Sequence, residues 1–395
     1  MVACLGVFLL YLALERVRLD RALRRVPRRI AVAGTRGKSS VTRLIAAGLR
    51  ASGATVLAKT TGSKPVLISP DGTEQEIFRS GPASVREQVR LVERAASAGA
   101  GVLVAEMMSI GAECLAAESG RILRPGTLAV TNARLDHLDG MGREKDAIAR
   151  SLAAAFPGRA DVFVPSEEMH PAFEEAAART GTRIHAVIGR AVEGPGADLH
   201  LPPGEFEPNR RLARAVLEFL GLDDRTIERG LAAALPDAGS LKILRGMFGA
   251  PPRPAVCVSL FAANEPESSA AALREVERLW PPGGRPVVGL LSLREDRGDR
   301  TLQWIRAAGD GFFRGFSTVF LLGPPARAAL RKIRRHSGSC GPVFSLVEER
   351  SPEDVMSRVL ASAPGEPVVV GLGNFVGPGD ELVRYWEERG AAYGR

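Results

Sequence analysis

Three places in this 395-residue sequence carry side chains that could do chemistry together: G-T-R-G-K-S-S at 34–40, Glu106, and His137 within L-D-H-L-D-G at 135–140. A Gly-Lys-Ser run opening a helix is the pattern of a phosphate cradle. Loop N–H groups and the helix dipole face the anion, Lys38 reaches the β- and γ-phosphates, and the Ser39 hydroxyl can ligate Mg²⁺. The longer form of the pattern wants glycine at position 32, where Val32 stands, so this is the shorter G-T-x-G-K-[ST] form. Gly34, Thr35, Arg36, Gly37, Lys38, Ser39 and Ser40 are the candidate nucleotide-binding residues. Ser39 and Glu106 offer two oxygen ligands to one Mg²⁺, which takes its remaining ligands from water and phosphate. His137 with a carboxylate could hold a second ion. Plainer readings exist for each: a chance Gly-Lys-Ser, and a turn histidine bonded to Asp136 or Asp139.

These groups must be positioned by their elements. Ile30 to Ala33 is an apolar run that reads as a buried strand, and Val41, Leu44, Ile45, Gly48 and Leu49 follow at helical spacing. Residues 101–105 read as a second buried strand ending at Glu106. A third, 127–131, runs through Asn132 into the His137 segment. Ligands of open α/β sheets gather outside the carboxyl ends of strands, where Glu106 and His137 fall. Residues 59–65 read as a polar connecting loop after a strand at 54–58. Ser84-Val85-Arg86-Glu87 reads as a capping box opening a helix with Val85, Val89 and Val92 inward, stopped by Gly99. The alternation continues through a strand at 161–165 and a helix at 209–220. It pauses in a glycine- and proline-rich stretch, 235–254, with the composition of a linker, and resumes from 255 to 371. Strands alternating with helices predict parallel sheets. The expected fold is α/β: a P-loop central domain with a parallel sheet over 27–245, a C-terminal Rossmann-like α/β domain over 246–395, and an N-terminal apolar helix within 1–26.

Composition sets bounds. A 45% hydrophobic and 25% charged content is ordinary for a globular protein. The net charge of +8 is largely local, because Arg16, Arg18, Arg21, Arg24, Arg25, Arg28 and Arg29 crowd one segment. Without them the chain is balanced, so no nucleic-acid partner is read from its charge. Cys4, Cys114, Cys257 and Cys340 are scattered without a C-x-x-C, which suggests neither a zinc site nor a disulfide framework. Residues 1–14 carry no charge, and the arginines follow them. Fourteen residues fall short of the roughly 20 of a spanning helix, but positive charge after an apolar start favours a membrane anchor with the remainder on the cytoplasmic face. The alternative is an apolar helix packed on the domain or on a partner.

The motifs in their order also carry a resemblance. G-T-R-G-K-S-S, V-A-E-M-M-S at 104–109 and T-N-A-R-L-D-H-L-D at 131–139 resemble the Mur ligase superfamily. Arg36 in the loop, F-A-A-N-E-P-E-S at 261–268, R-E-D-R-G-D-R-T at 294–301, G-L-G-N-F-V-G-P-G at 371–379 and the apolar start are similar to the ligase subunits of poly-γ-glutamate synthases, the PgsB/CapB type. The resemblance covers essentially the whole chain. It implies a Mur-ligase-like fold and an ATP- and Mg²⁺-dependent amide ligase that polymerises glutamate through an acyl phosphate. Lys38, Glu106 and His137 are then catalytic, and Ser39, Glu106 and His137 hold metal. Asn264 contacts the nucleotide, Asp296 the ribose, and Arg297 or Arg300 the phosphates. Glutamate and poly-γ-glutamate are the implied substrates, small membrane subunits the implied partners, and a homo-oligomer is possible. The R-E-D-R-G-D-R run also reads as a solvated helix start with local ion pairs. The rival functions are another Mur-type ligase, such as a folylpolyglutamate-like enzyme, and a P-loop ATPase or scaffold of a membrane assembly.

Two departures stand out. Where many Mur ligases carry a carbamylated lysine, this sequence has Leu152, with Lys145 nearby but out of register. The interdomain arginine of many relatives has only Lys242 and Arg245 as local counterparts.

Overall fold

The computed structural model describes residues 2–61, 65–79, 81, 83–134, 141–142, 144–189, 207–236, 241–336, 341–349 and 351–393. The chain divides into two compact units, Met1–Asp237 and Ala238–Arg395.

In the first unit the described strands are β1 (Arg28–Ala33), β2 (Val56–Lys59), β3 (Val66–Ile68), β4 (Glu74–Glu76), β5 (Val102–Glu106), β6 (Thr127–Val130), β7 (Asp161–Pro165) and β8 (Arg183–Val187). They form one sheet in the order β4-β3-β2-β5-β1-β6-β7-β8. The six strands from β2 to β8 in that order run parallel, and the β3–β4 hairpin closes one edge antiparallel. Both faces are covered, which is why β1 is apolar from Ile30 to Ala33. Ala31 and Ala33 belong to one apolar cluster, Ile30 and Val32 to the other.

Helix α1 (Val2–Arg25) is continuous through the apolar start and the arginines. Its Leu19, Ala22 and Leu23 are buried in the first cluster, whereas Leu5, Phe8, Leu9 and Leu12 are exposed. Among the described residues no helix is long and apolar enough to cross a membrane. Helix α2 (Lys38–Ala51) packs Val41, Leu44, Ile45 and Leu49 with Leu212, Val216 and Leu217 of the helix Glu207–Phe219. Gly48 permits that contact: a Cβ there would lie 2.3 Å from Leu217 Cδ1. Helix α3 (Arg86–Ser97) buries Gln88, Leu91, Val92 and Ala95, so Val85 and Val89 lie at the flank of the face rather than at its centre. The expected capping box is absent. Val85 is the N-cap residue without a side-chain bond, because the Glu87 carboxylate is engaged by Arg79 and Lys59 instead.

In the second unit the strands are β9 (Lys242–Phe248), β10 (Arg253–Ser259), β11 (Val287–Ser292), β12 (Thr318–Leu322), β13 (Val343–Leu346), β14 (Val368–Gly373) and β15 (Gly390–Ala392). Their order is β13-β12-β11-β14-β10-β9-β15, parallel as far as β10, with β9 and β15 added antiparallel. The stretch expected as a linker thus contains a strand. Gly249 (φ +80°) turns β9 back onto β10, so the glycines and prolines there serve a hairpin. The boundary between the units falls at 237/238, ahead of the expected 245/246. The core of this unit includes Phe261 and Trp386, whose ring centroids lie 5.9 Å apart.

Candidate functional site

The glycine loop joins β1 to α2, and two of its residues can only be glycine. Gly34 has φ +123°, and a Cβ there would sit 2.1 Å from Thr131 Oγ1. Gly37 has φ +78°, and its Cβ would meet Asn209 Oδ1 at 2.4 Å. Asn132, at the end of β6, clamps the loop from the side. Its Oδ1 accepts from Thr35 Oγ1 (2.7 Å) and the Arg36 N–H (3.0 Å), and its Nδ2 donates to the Arg36 carbonyl (3.1 Å). Lys38 folds back over the loop, its Nζ donating to the Gly34 carbonyl at 2.8 Å.

The structure brings Ser39 and Glu106 together. Ser39 Oγ donates to Glu106 Oε2 at 2.7 Å, and the Thr61 N–H donates to the same oxygen at 2.7 Å. Register explains the meeting. Val32, at the end of β1, lies beside Glu106, so the helix that follows β1 starts next to the carboxylate. Glu106 is only 3% exposed. A hydroxyl and a carboxylate at a phosphate loop form an all-oxygen donor set, which suits a hard divalent cation completed by phosphate and water. Among the described residues no group of three or more His, Cys, Asp or Glu is arranged to hold a metal. His137 lies outside the described residues.

Two contributors carried little sequence signal. Thr61 acts through its backbone, and Lys59 belongs to β2 rather than to a connecting loop, with its side chain 2% exposed. Burial lowers the Lys59 ammonium below its ordinary value, against the opposing pull of Glu87.

The second unit has a polar centre of its own at the carboxyl ends of β10, β11 and β14. Asn264 adopts φ +52°, and its carbonyl accepts from Trp304 Nε1 at 3.0 Å. The next residue, Glu265, is buried and accepts from Ser268. Arg300 Nη1 donates to Asn374 Oδ1 (3.3 Å), and Asn374 Nδ2 donates to the Ser292 carbonyl (3.2 Å). Among the described residues the buried Ser269 and Ser292 hydroxyls have no hydrogen-bond partner. Segments 294–301 and 371–379, far apart in sequence, therefore meet here through Arg300 and Asn374, and 261–268 meets 371–379 through Phe261, which lies against Gly371. Asp296 stands apart: it is exposed and held bidentately by Arg294 (2.9 and 2.7 Å), with Arg297 Nε 3.9 Å away. Burial pushes the Asp296 carboxyl up, but Arg294 and Arg297 outweigh it and leave the group below its ordinary value.

Comparison with known proteins gives both units a place. Residues 32–185 match the Mur ligase middle domain, and residues 248–389 match the poly-gamma-glutamate synthase CapB C-terminal domain. PGA synthase CapB of Bacillus subtilis (strain 168) is 27% identical over 388 residues, covering 97% of this chain and 95% of that protein. Capsule biosynthesis protein CapB of Bacillus anthracis is 27% identical over 370 residues, covering 92% and 77%. The chain is a CapB-type member of the Mur ligase superfamily. It is accordingly an ATP-dependent amide ligase. The fold is shared with the bifunctional folylpolyglutamate synthase/dihydrofolate synthase of Yersinia pestis, crystallised with AMPPNP and Mn. The two agree at TM-score 0.65 and 20% identity over 91% of this chain and 90% of that one.

Within this CapB-type ligase the two departures take physical form. Leu152 is buried in the apolar core and carries no amine to form a carbamate. The Lys145 ammonium pairs with Glu168 Oε2 at 3.5 Å. Lys242 pairs with Glu387 (2.6 Å) and Arg245 with Glu366 (2.5 Å), so both cations are held by the second unit itself.

Proposed function

We propose that this ligase extends poly-γ-glutamate. The hydrogen bond between Ser39 and Glu106 beside the glycine loop is the observation that carries the site. Similarity along 97% of the chain to a protein named PGA synthase supports the polymer. A carboxylate oxygen of the growing chain attacks the γ-phosphorus of ATP, and ADP leaves with the bonding pair. The amine of an incoming glutamate then adds to the acyl carbon. The C–O bond to phosphate breaks, and a proton passes from nitrogen to water.

A carboxylate approaching a triphosphate is repelled, so catalysis depends on positive charge placed in advance. Lys38 brings one such charge to the transferring phosphoryl group. A divalent ion, Mg²⁺ in this proposal, supplies further charge neutralisation when bound by Ser39 and Glu106, with His137 for a second ion. Asn132 keeps the loop amides aimed outward through its clamp on Thr35 and Arg36. In the second unit, Asn264 contacts the nucleotide, Asp296 the ribose, and Arg297 or Arg300 the phosphates. The exposed apolar residues of α1 and the arginines after them dock on small membrane subunits, placing the ligase at the cytoplasmic face of the cell membrane.

The test is phosphate release by the full chain with Mg²⁺ and ATP, with and without glutamate and oligo-γ-glutamate, followed by mass spectrometry. Glutamate-dependent release with products growing in glutamyl steps is the expected result. Hydrolysis indifferent to glutamate points to a plain ATPase, and growth on folates alone to a folylpolyglutamate-like enzyme.

A further inference from the structure

Behind the Ser39–Glu106 pair lies a buried chain of polar side chains that phosphoryl transfer does not itself use. Glu118, with no solvent exposure, opens a π-helical turn, Glu118–Leu123, and points back under the loop that follows β5. Its Oε1 accepts from the Met108 N–H (3.0 Å) and its Oε2 from the Ser109 N–H (2.8 Å). Gln88, equally buried, donates from Nε2 to Glu118 Oε1 (2.6 Å) and to the backbone carbonyl of Glu106 itself (2.9 Å). Lys59 Nζ completes the chain, 3.4 Å from Gln88 Oε1 and 3.3 Å from Glu87 Oε2, and Arg79 clamps Glu87 at 2.8 and 3.0 Å.

Two members of the chain end on backbone around Glu106, and the third is tied to them through Gln88. Glu118 takes the amides of Met108 and Ser109, two and three residues after Glu106, Gln88 takes the Glu106 carbonyl, and Lys59 anchors the strand end two residues before Thr61, whose amide grips the Glu106 carboxylate. Stability alone is a poor reason for such an arrangement. Burying the Lys59 ammonium and the Glu118 carboxylate, with Glu87 and Arg79 half-buried beside them, carries a desolvation penalty that an apolar core of the same volume avoids. The π-helical turn, a form frequent at functional sites, lies where Glu118 must reach the loop.

We propose that Lys59, Gln88 and Glu118 are positioning residues that hold the Glu106 carboxylate against Ser39 and thereby set the affinity for a divalent metal at the nucleotide. The inference rests on the nucleotide site proposed above and goes beyond it in assigning residues that touch neither metal nor substrate. Outer partners of metal ligands act in this way, typically changing metal affinity by about 10- to 100-fold when altered.

The experiment uses the full-length protein with Mn²⁺ as the probe and AMPPNP as the nucleotide. Free Mn²⁺ is followed by electron paramagnetic resonance, and nucleotide binding without metal is measured separately. Glu118→Gln keeps the volume but turns an acceptor into a donor against a loop amide, and Lys59→Met removes the anchoring charge. Both are expected to weaken Mn²⁺ binding about 10-fold or more, to leave metal-free AMPPNP binding within about twofold, and to speed amide exchange at Met108 and Ser109. Glu74→Gln, which removes the partner of Arg43 in another part of the same unit, is expected to leave Mn²⁺ affinity unchanged. Should either variant fail to fold, Glu118→Asp and Lys59→Arg keep the charge with altered reach and should show the same split in milder form. Unchanged Mn²⁺ affinity in folded variants overturns the proposal, whatever happens to their melting temperature. If the unaltered protein binds no Mn²⁺ with AMPPNP, the nucleotide reading itself fails, and this inference with it.

Discussion

The two units place polar groups at the carboxyl ends of parallel strands, but finish them differently. In the first unit the Glu106 carboxylate is bonded before any ligand arrives: Ser39 and the Thr61 amide hold one oxygen, and Gln88 holds its backbone. In the second unit the Ser269 and Ser292 hydroxyls are buried without partners among the described residues, beside an Arg300–Asn374 contact of 3.3 Å. One centre is already organised, and the other still has hydrogen bonds to make. Transferring a phosphoryl group rewards charges that need not rearrange. Accepting a small polar substrate rewards groups that are satisfied only on binding, because an analogue unable to bond them leaves them unpaired.

The largest effect expected from this contrast is at Glu106. Glu106→Gln should lower glutamate-dependent phosphate release roughly 10²- to 10³-fold. Adding Ser39→Ala to that variant should cost little more, since the two side chains act as one bonded unit. Losses that multiply in the double variant would show that the residues work separately.

The next effect tests whether the first centre owes its order to the half-buried Glu87 and its ion pairs with Lys59 and Arg79. Glu87 is pushed up by burial, yet Arg79 and Lys59 prevail and hold it below its ordinary 4.5. Its stabilisation is therefore complete above that value and lost as pH falls through the lower folded one. Lys59 is depressed as well, so between its lowered folded value and 10.5 the unfolded chain binds more protons, and stability rises with pH in that window alone. Glu87→Gln leaves Lys59 buried without its carboxylate and should cost roughly 3 kcal/mol near neutrality. The difference from the unaltered protein should shrink on both sides. In acid, Glu87 of the unaltered protein is itself neutralised. In alkali, the more strongly depressed Lys59 of the variant sheds its proton earlier. Hydrogen exchange at the β5 amides across pH gives the profile, and a flat difference would remove Glu87 from the network.

Legibility followed the range over which a requirement acts. Gly34, Gly37, Lys38 and Ser39 could be read because each type is demanded by its own backbone angle or by a phosphate within one turn. Glu106 could be read because it ends an apolar strand. The Lys59–Gln88–Glu118 chain was hidden: its members lie about 30 residues apart and look like a loop lysine, a helix-surface glutamine and an ordinary helix glutamate. Glu87 misled for a related reason. Its spacing from Ser84 suits a cap, but a long-range pair with Lys59 outcompetes the local bond. Strand β9 was masked by the glycines and prolines of its own hairpin, since composition does not distinguish a turn from a linker. His137, the second metal candidate in the sequence, lies outside the described residues.

Core packing in the second unit can be tested apart from its chemistry, because Trp280, Trp304 and Trp386 all lie in that unit and fluorescence reports on it alone. A Cβ on Gly371 would lie 2.3 Å from the Phe261 ring, which packs on Trp386. Gly371→Ala should therefore destabilise the fluorescence-detected urea transition by about 1–3 kcal/mol. An unchanged midpoint would mean that Phe261 moves aside without loss, and that the strand ends of this unit are more pliant than those of the first.

The smallest effect separates the two centres most sharply. Ser269 is fully buried, and its hydroxyl finds no partner among the described residues, so the folded state carries the desolvation cost of that group. Ser269→Ala removes the cost and should leave the tryptophan-detected stability unchanged or raise it by up to about 1 kcal/mol. A hydroxyl kept at such a cost is retained for what it bonds during turnover, so the same substitution should raise KM for the incoming amino acid with little change in kcat. In the first unit, where the Ser39 hydroxyl is already bonded to Glu106, serine to alanine should act in the opposite sense, lowering kcat. If Ser269→Ala destabilises the fold and leaves KM untouched, its hydroxyl belongs to the packing, and the second centre is no less complete than the first.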